Sequence, residues 1–209
     1  MRCVLAAGVA TVWSGLGAGA MAAEAGRLDG AYLALEAARQ TVIAGALVDG
    51  VDVLAQDERL TASLVGGYRL ALGERLVVGV EGAVGVGDQS LRLSDPSRGL
   101  QLRYRNGFEW RVGGQVGWRL GADRGTLVFA YVSETTRAFS VSGTTARGPL
   151  RQKDEQGLLR YGVGVERALA EGWRARATAG SSRADFGDRR RNMTPDRPIE
   201  VGVAVSFGF

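Results

Sequence analysis

Between Phe108 and Leu120 the chain reads FEWRVGGQVGWRL. Phe108, Trp110, Val112, Val116, Trp118 and Leu120 fall on one parity, with Gly114 among them; Glu109, Arg111, Gly113, Gln115, Gly117 and Arg119 fall on the other. Successive side chains of a strand point to opposite faces, so this run makes a sheet with one apolar and one charged face. A helix would mix the two sets.

The same period of two recurs outward from this stretch. At the carboxyl end Val201, Val203, Val205, Phe207 and Phe209 alternate with Glu200, Gly202, Ala204, Ser206 and Gly208. Eight strands are predicted, over about 30–38, 59–70, 75–87, 100–120, 126–136, 157–169, 173–183 and 198–209. Leu100, Leu102 and Tyr104 keep the parity of Phe108, so the strand over 100–120 is expected to continue the same apolar face and project well past the membrane as an extended hairpin, flanked by Arg103 and Arg105. Connections alternate in length. Those at 71–74, 121–125 and 170–172 are tight, whereas 39–58, 88–99, 137–156 and 184–197 are long. In an up-and-down meander this puts every tight turn at one rim and every long loop at the other, the pattern of a membrane-spanning barrel.

Which face meets solvent separates a soluble barrel from a membrane one, because only the latter turns its apolar face outward. With that orientation the lumen receives Glu36, Arg69, Glu81, Glu109, Arg111, Arg119, Glu134, Arg160, Glu166, Arg174, Arg176 and Glu200. Acids and bases nearly balance there, as a narrow interior requires, since an unpaired buried charge costs several kcal/mol. Trp110 and Trp118 lie eight residues apart on the apolar face, about 26 Å along a strand and roughly 20 Å vertically at a tilt near 40°. That is the separation of two interfacial girdles, which Tyr68, Tyr131, Trp173 and Phe209 are expected to join. The competing reading makes these rings the core of a soluble β-sandwich. One strand fits lipid poorly: Ala175, Ala177, Ala179 and Ser181 form its outward face.

Composition narrows function. The chain has 209 residues, no histidine and one cysteine, Cys3, so Cys/His zinc sites, cysteine nucleophiles and histidine-dependent triads are excluded. With 32 Gly against 4 Pro and no collagen period, glycine serves turns and crowded backbone. A net charge of +4, with Lys153 the sole lysine, is too small and scattered for nucleic-acid binding. Arg2, an uncharged stretch over 3–23 and Ala20-Met21-Ala22 read as a signal peptide spanning 1–22, followed by one domain over 23–209. An uncleaved anchor of about 20 residues is the alternative. Past residue 23 no stretch is long and apolar enough for a spanning helix.

These residues resemble the small outer-membrane β-barrels of Gram-negative bacteria, of the opacity-protein and OmpA-membrane-domain kind. The resemblance is most specific over Leu159–Asp188, where Tyr-Gly-Val-Gly-Val-Glu, a short turn, Trp173 and Asp185-Phe186-Gly187-Asp188 are similar to that family's penultimate hairpin. It departs at Ala177–Ser182, where relatives carry more aromatics. The resemblance implies an all-β, eight-stranded antiparallel transmembrane barrel in the outer membrane with no cofactor or metal. It also implies that Phe207 and Phe209 are the signal read by the outer-membrane assembly machinery. It favours a structural or surface-contact role in the cell envelope over enzyme activity, with a narrow porin-like channel as the rival. The family's barrel enzymes rely on histidine.

Two other motifs stand out in the sequence. Asp185-Phe186-Gly187 matches a kinase magnesium motif by letters alone and lacks its companions. Arg189, Arg190 and Arg191 form the densest charge run; they are either a solvated loop or a contact for lipopolysaccharide phosphates, which guanidinium groups bind bidentately. Outer-membrane lipid and lipopolysaccharide are thus the expected partners.

Overall fold

Alternation of apolar and polar residues, repeated strand after strand, produces a single antiparallel sheet rolled on itself. The computed structural model describes residues 28–48, 51–87, 90–95, 99–121, 124–184 and 199–209. The expected signal peptide and Arg189–Arg191 lie outside them. Nine strands occur among these residues: β1 (Gly30–Val48), β2 (Val51–Leu72), β3 (Leu76–Gly87), β4 (Ser90–Asp95), β5 (Leu100–Leu120), β6 (Thr126–Thr145), β7 (Gly148–Ala170), β8 (Trp173–Ala184) and β9 (Ile199–Gly208). Each sequential pair is a hairpin except β3 and β4. The ring closes where β1 pairs with β9 and β3 pairs with β5. Eight strands therefore make the barrel, and β4 continues the wall beside Leu100–Arg105 once β3 has ended.

The faces are inverted relative to a water-soluble fold. Leu35 and Leu60 are 70% exposed and Val203 63%, whereas Arg69 and Glu166 are fully buried. Apolar side chains of all eight barrel strands form a belt around the outside, which is stable only against hydrocarbon. No helix among the described residues is long and apolar enough to cross a membrane.

Two expected long loops are strand instead. β1 and β2 pair as far as Val48 and Val51, and β6 and β7 as far as Thr145 and Gly148. Beyond the belt the outward positions need no longer be apolar, so the hydrophobic period fades while the backbone ladder continues. Segment 88–99 likewise contains β4.

The apolar face expected along 100–120 is broken. The β5–β6 register shifts between Asn106 and Glu109, a bulge that adds a residue to β5 and reverses its parity. Phe108 points outward at 52% exposure, but Leu100, Leu102 and Tyr104 point inward and are buried with Val141, packed by Phe139 and Leu150. At the opposite end Leu28, Val77, Leu127 and Phe129 close the lumen beside the tight turns. In the β7–β8 turn Gly172 has φ +70°, and a Cβ there would lie 2.7 Å from the Phe207 ring.

Strand β6 runs opposite to the expected parity. Leu127, Phe129, Tyr131, Ser133 and Thr135 face inward, and Glu134 faces out. Tyr131 is thus no girdle residue: its hydroxyl lies over Gly162 and Gly180, 2.7 and 2.5 Å from where their Cβ atoms would be. Its ring packs against Phe129. Two glycines on β7 and β8 make room for one inward tyrosine. Replacing Gly180 by Val forces overlap with that hydroxyl and with the Tyr161 carbonyl. The G180V barrel is expected to lose about 1–3 kcal/mol in urea-unfolding measurements; an unchanged midpoint would contradict the inward placement of Tyr131.

Candidate functional site

Polar side chains brought inside by alternation fill the lumen in tiers. Nearest the tight turns, Arg119 Nη2 lies 2.9 Å from Asp29 Oδ1. Above this, Glu166 accepts from both ends of Arg69, at 2.5 and 2.9 Å, and from Arg176 Nε at 2.8 Å. Arg174 Nη1 approaches it to 3.8 Å. One carboxylate on β7 thereby holds an arginine from β2 across the barrel and arginines from the neighbouring β8.

Tyr32 sits between the lower and middle tiers. Its hydroxyl donates to Glu81 Oε2 at 2.6 Å and accepts from Gln115 Nε2 at 3.1 Å. The Arg69 guanidinium stacks 4.5 Å from its ring centroid, a cation–π contact sheltered from water. Glu81 also accepts from Arg176 Nη1 at 2.9 Å. In the middle tier Arg111 makes a two-pronged pair with Glu36, at 3.0 and 3.2 Å.

The upper tier centres on Glu109, which accepts from Arg59 and, at 3.1 Å, from Arg137 Nε. The same two arginines donate to Gln40 Oε1, at 3.3 and 3.1 Å. Arg160 Nε donates to Glu200 Oε2 at 2.7 Å. Tyr104 and its apolar neighbours cover this tier. Burial pushes the Tyr104 phenol up to about 12, against the opposing pull of Arg137 and Arg59.

Of the expected lumenal residues, Glu36, Arg69, Glu81, Glu109, Arg111, Arg119, Arg160, Glu166, Arg174, Arg176 and Glu200 point inward and engage one another or Asp29. Glu134 does not: it is exposed on the outer wall, opposite Val112 and Leu159. Arg59, Arg137, Gln40, Tyr32 and Asp29 join this set without being singled out by the sequence, and Gln115 joins it from the charged parity of Arg111. Arg59 shares the parity of Arg69 and could have been found from it. Gln40 and Arg137 lie just past the strand ends that hydrophobicity suggested. Of the expected girdle, Tyr68, Trp110, Trp118, Trp173 and Phe209 are outward, at 37–59% exposure, together with Phe108 and Tyr161. Trp173, Phe207 and Phe209 form an aromatic group at the turn-side rim, with successive centroids 5.3 and 5.4 Å apart. No group of three or more potential metal ligands occurs among the described residues.

No protein-family model matches the chain, and no curated protein matches it. Among solved structures it is similar to Ail, the attachment invasion locus protein of Yersinia pestis, with TM-score 0.47 and 10% identity over 86% of this chain and 97% of that one. For Neisserial surface protein A the values are 0.45, 14%, 86% and 97%. For the N-terminal β-barrel domain of Pseudomonas aeruginosa OprF they are 0.37, 14%, 85% and 97%.

Removing one member of a buried ion pair leaves its partners uncompensated. Glu166→Gln is expected to cost about 3–5 kcal/mol in equilibrium unfolding. Removing the exposed Arg39–Glu58 pair, with side chains 65% and 57% accessible, should cost about 0–1 kcal/mol. Equal effects at the two sites would refute a dry, coupled lumen. Tyr104 gives a pH test. Its folded value lies above the unfolded value of about 10, so its stabilising contribution is full below pH ~10 and is lost as pH rises through about 12. The absorbance difference between wild type and Tyr104→Phe should develop near pH 12, and ionisation near pH 10 would show the cap to be open.

Proposed function

We propose that the chain is an integral outer-membrane protein with a lumen closed to solutes, serving envelope structure and surface contact rather than transport or catalysis. One observation carries this reading: the outside of the barrel is apolar and the inside is filled by mutually paired arginines and carboxylates. An eight-stranded barrel is just wide enough for side chains to fill it. A route for ions would have to part Arg111 from Glu36 and Arg69 from Glu166, and then pass apolar residues at each end. Surface contact falls to the strand extensions at the rim away from the tight turns.

The planar-bilayer experiment decides between plug and pore. Folded, purified protein is expected to give no single-channel steps. Reproducible steps that change in Glu81→Gln or Arg111→Gln would overturn the closed lumen in favour of a narrow channel.

For biogenesis, Phe207 and Phe209 are proposed as the element offered to the assembly machinery. Phe209 is 59% exposed, and its amide donates to the Ala31 carbonyl at 2.9 Å. Phe209→Ala should therefore lower the folded, heat-modifiable fraction in cells while leaving refolding in detergent intact. Equal loss in both settings would point to a packing role alone.

A further inference from the structure

The bulge that turns Leu102 and Tyr104 inward turns their neighbours outward. Above the belt, the outer face of the β4–β5–β6–β7 sheet then carries two cross-strand rows. Arg92 lies opposite Arg103, which lies opposite Ser142, which lies opposite Arg151. In the adjoining row Ser90, Arg105, Ser140 and Lys153 follow in the same order. Arg92, Arg105, Arg151 and Lys153 are exposed and Arg103 is half-buried, its Nη2 donating to Ser90 Oγ at 3.4 Å. Among the described residues of this face the one acid is Glu155, beside Lys153 on β7 and itself engaged in the structure. Glu134 lies lower, at the edge of the belt.

Like charges directly opposite on neighbouring strands are destabilising, and Arg92 faces Arg103. The arrangement makes physical sense when an anion bridges the two guanidinium groups, with hydroxyls beside them as further donors. The patch spans three strand spacings, about 14 Å, and its rows are about 7 Å apart. It therefore has room for two phosphate groups at once. Its position identifies their source. The patch lies on the same outer wall as Phe108 and Leu159, beginning roughly 8 Å above Phe108 for a strand tilted near 40°. What lies against that wall at that height is the headgroup layer of the surrounding lipid.

We propose that Arg92, Arg103, Arg105, Arg151 and Lys153 form a binding surface for the phosphate-bearing headgroup of a glycolipid in the outer leaflet. The proposal rests on the outer-membrane reading above. It concerns residues separate from Arg189–Arg191.

The test uses the folded barrel in nanodiscs of phosphatidylcholine doped with bisphosphorylated lipid A or with its dephosphorylated form, and native mass spectrometry counts the glycolipid retained. Wild type should retain the bisphosphorylated form at least about tenfold better, and Arg103→Gln/Arg105→Gln/Arg151→Gln should abolish the difference. Arg124→Gln, at the opposite rim and paired with Glu74, should leave it unchanged. Equal retention of the two glycolipids, or an unaffected triple variant, would overturn the proposal. So would binding of soluble polyphosphate or heparin to the patch without any lipid A preference, which would reassign it to a free polyanion. Heat-modifiable mobility of the same samples reports insertion separately. Inserted protein without lipid A preference defeats this inference alone, whereas wild type that does not insert defeats the membrane reading and this inference with it.

Discussion

A charge inside a narrow barrel has neither bulk water nor lipid headgroups to solvate it, so every guanidinium in the lumen must find a carboxylate or amide oxygen. That constraint orders the interior. Arginine suits it better than lysine, because its planar fork can engage two acceptors at once and span to different strands. Arg69 does this against Glu166, Arg111 against Glu36, and Arg176 against both Glu166 and Glu81. The chain's single lysine, Lys153, lies outside the lumen on the outer wall above the belt. Long side chains also need space, which the glycines among their neighbours provide. Gly79, for instance, leaves no more than 3.0 Å between its would-be Cβ and the Arg69 stem.

The ends of the lumen solve a different problem. Within the belt the hydrocarbon lies outside and polarity belongs inside, but above it the outer surroundings are headgroups and water, and apolar side chains are best buried within. A strand that keeps strict alternation through this boundary would carry its apolar face from lipid into water. The bulge at Asn106–Glu109 resolves this in one residue by exchanging the two faces of β5. Leu102 and Tyr104 then cover the Arg59–Glu109–Arg137 tier, and Arg103 and Arg105 reach the outer wall. One backbone irregularity thus seals the interior and creates the basic surface.

This also explains which features were legible in the sequence. The closed antiparallel barrel, its strand count and, Glu134 apart, the inward set from Glu36 to Glu200 follow from parity wherever one face must be greasy. Tyr104 was placed on the wrong face because a bulge leaves no mark in the hydrophobic period. Asn106 and Gly107 are compatible with one but do not demand it. On β6 the sequence points to the wrong faces because Tyr131 looks like a girdle residue and Glu134 a lumenal one, whereas Val128, Ala130 and Val132 line the apolar outer wall. The glycines opposite, Gly162, Gly164 and Gly180, held the missing information: they accept the Phe129 and Tyr131 rings, and such pairing is visible only once the strand registers are known. Arg137 and Gln40 lie where apolar alternation stops, and hydrogen-bonded ladders do not stop there.

Strand β8 shows how the two faces offset one another. Its outward residues Ala175, Ala177 and Ala179 offer little area to hydrocarbon, and they lie in register with Val205, Val203 and Val201 on β9. Apolar burial per residue is therefore smaller here than on β3 or β5. The inward face carries Arg174 and Arg176, which join Glu166 on β7 and Glu81 on β3. β8 is thus held by its ladders to β7 and β9 and by its lumenal ion pairs, with little contribution from its small outward side chains. A strand that would look marginal by lipid contact alone is fixed by charges it could not bury without the rest of the ring.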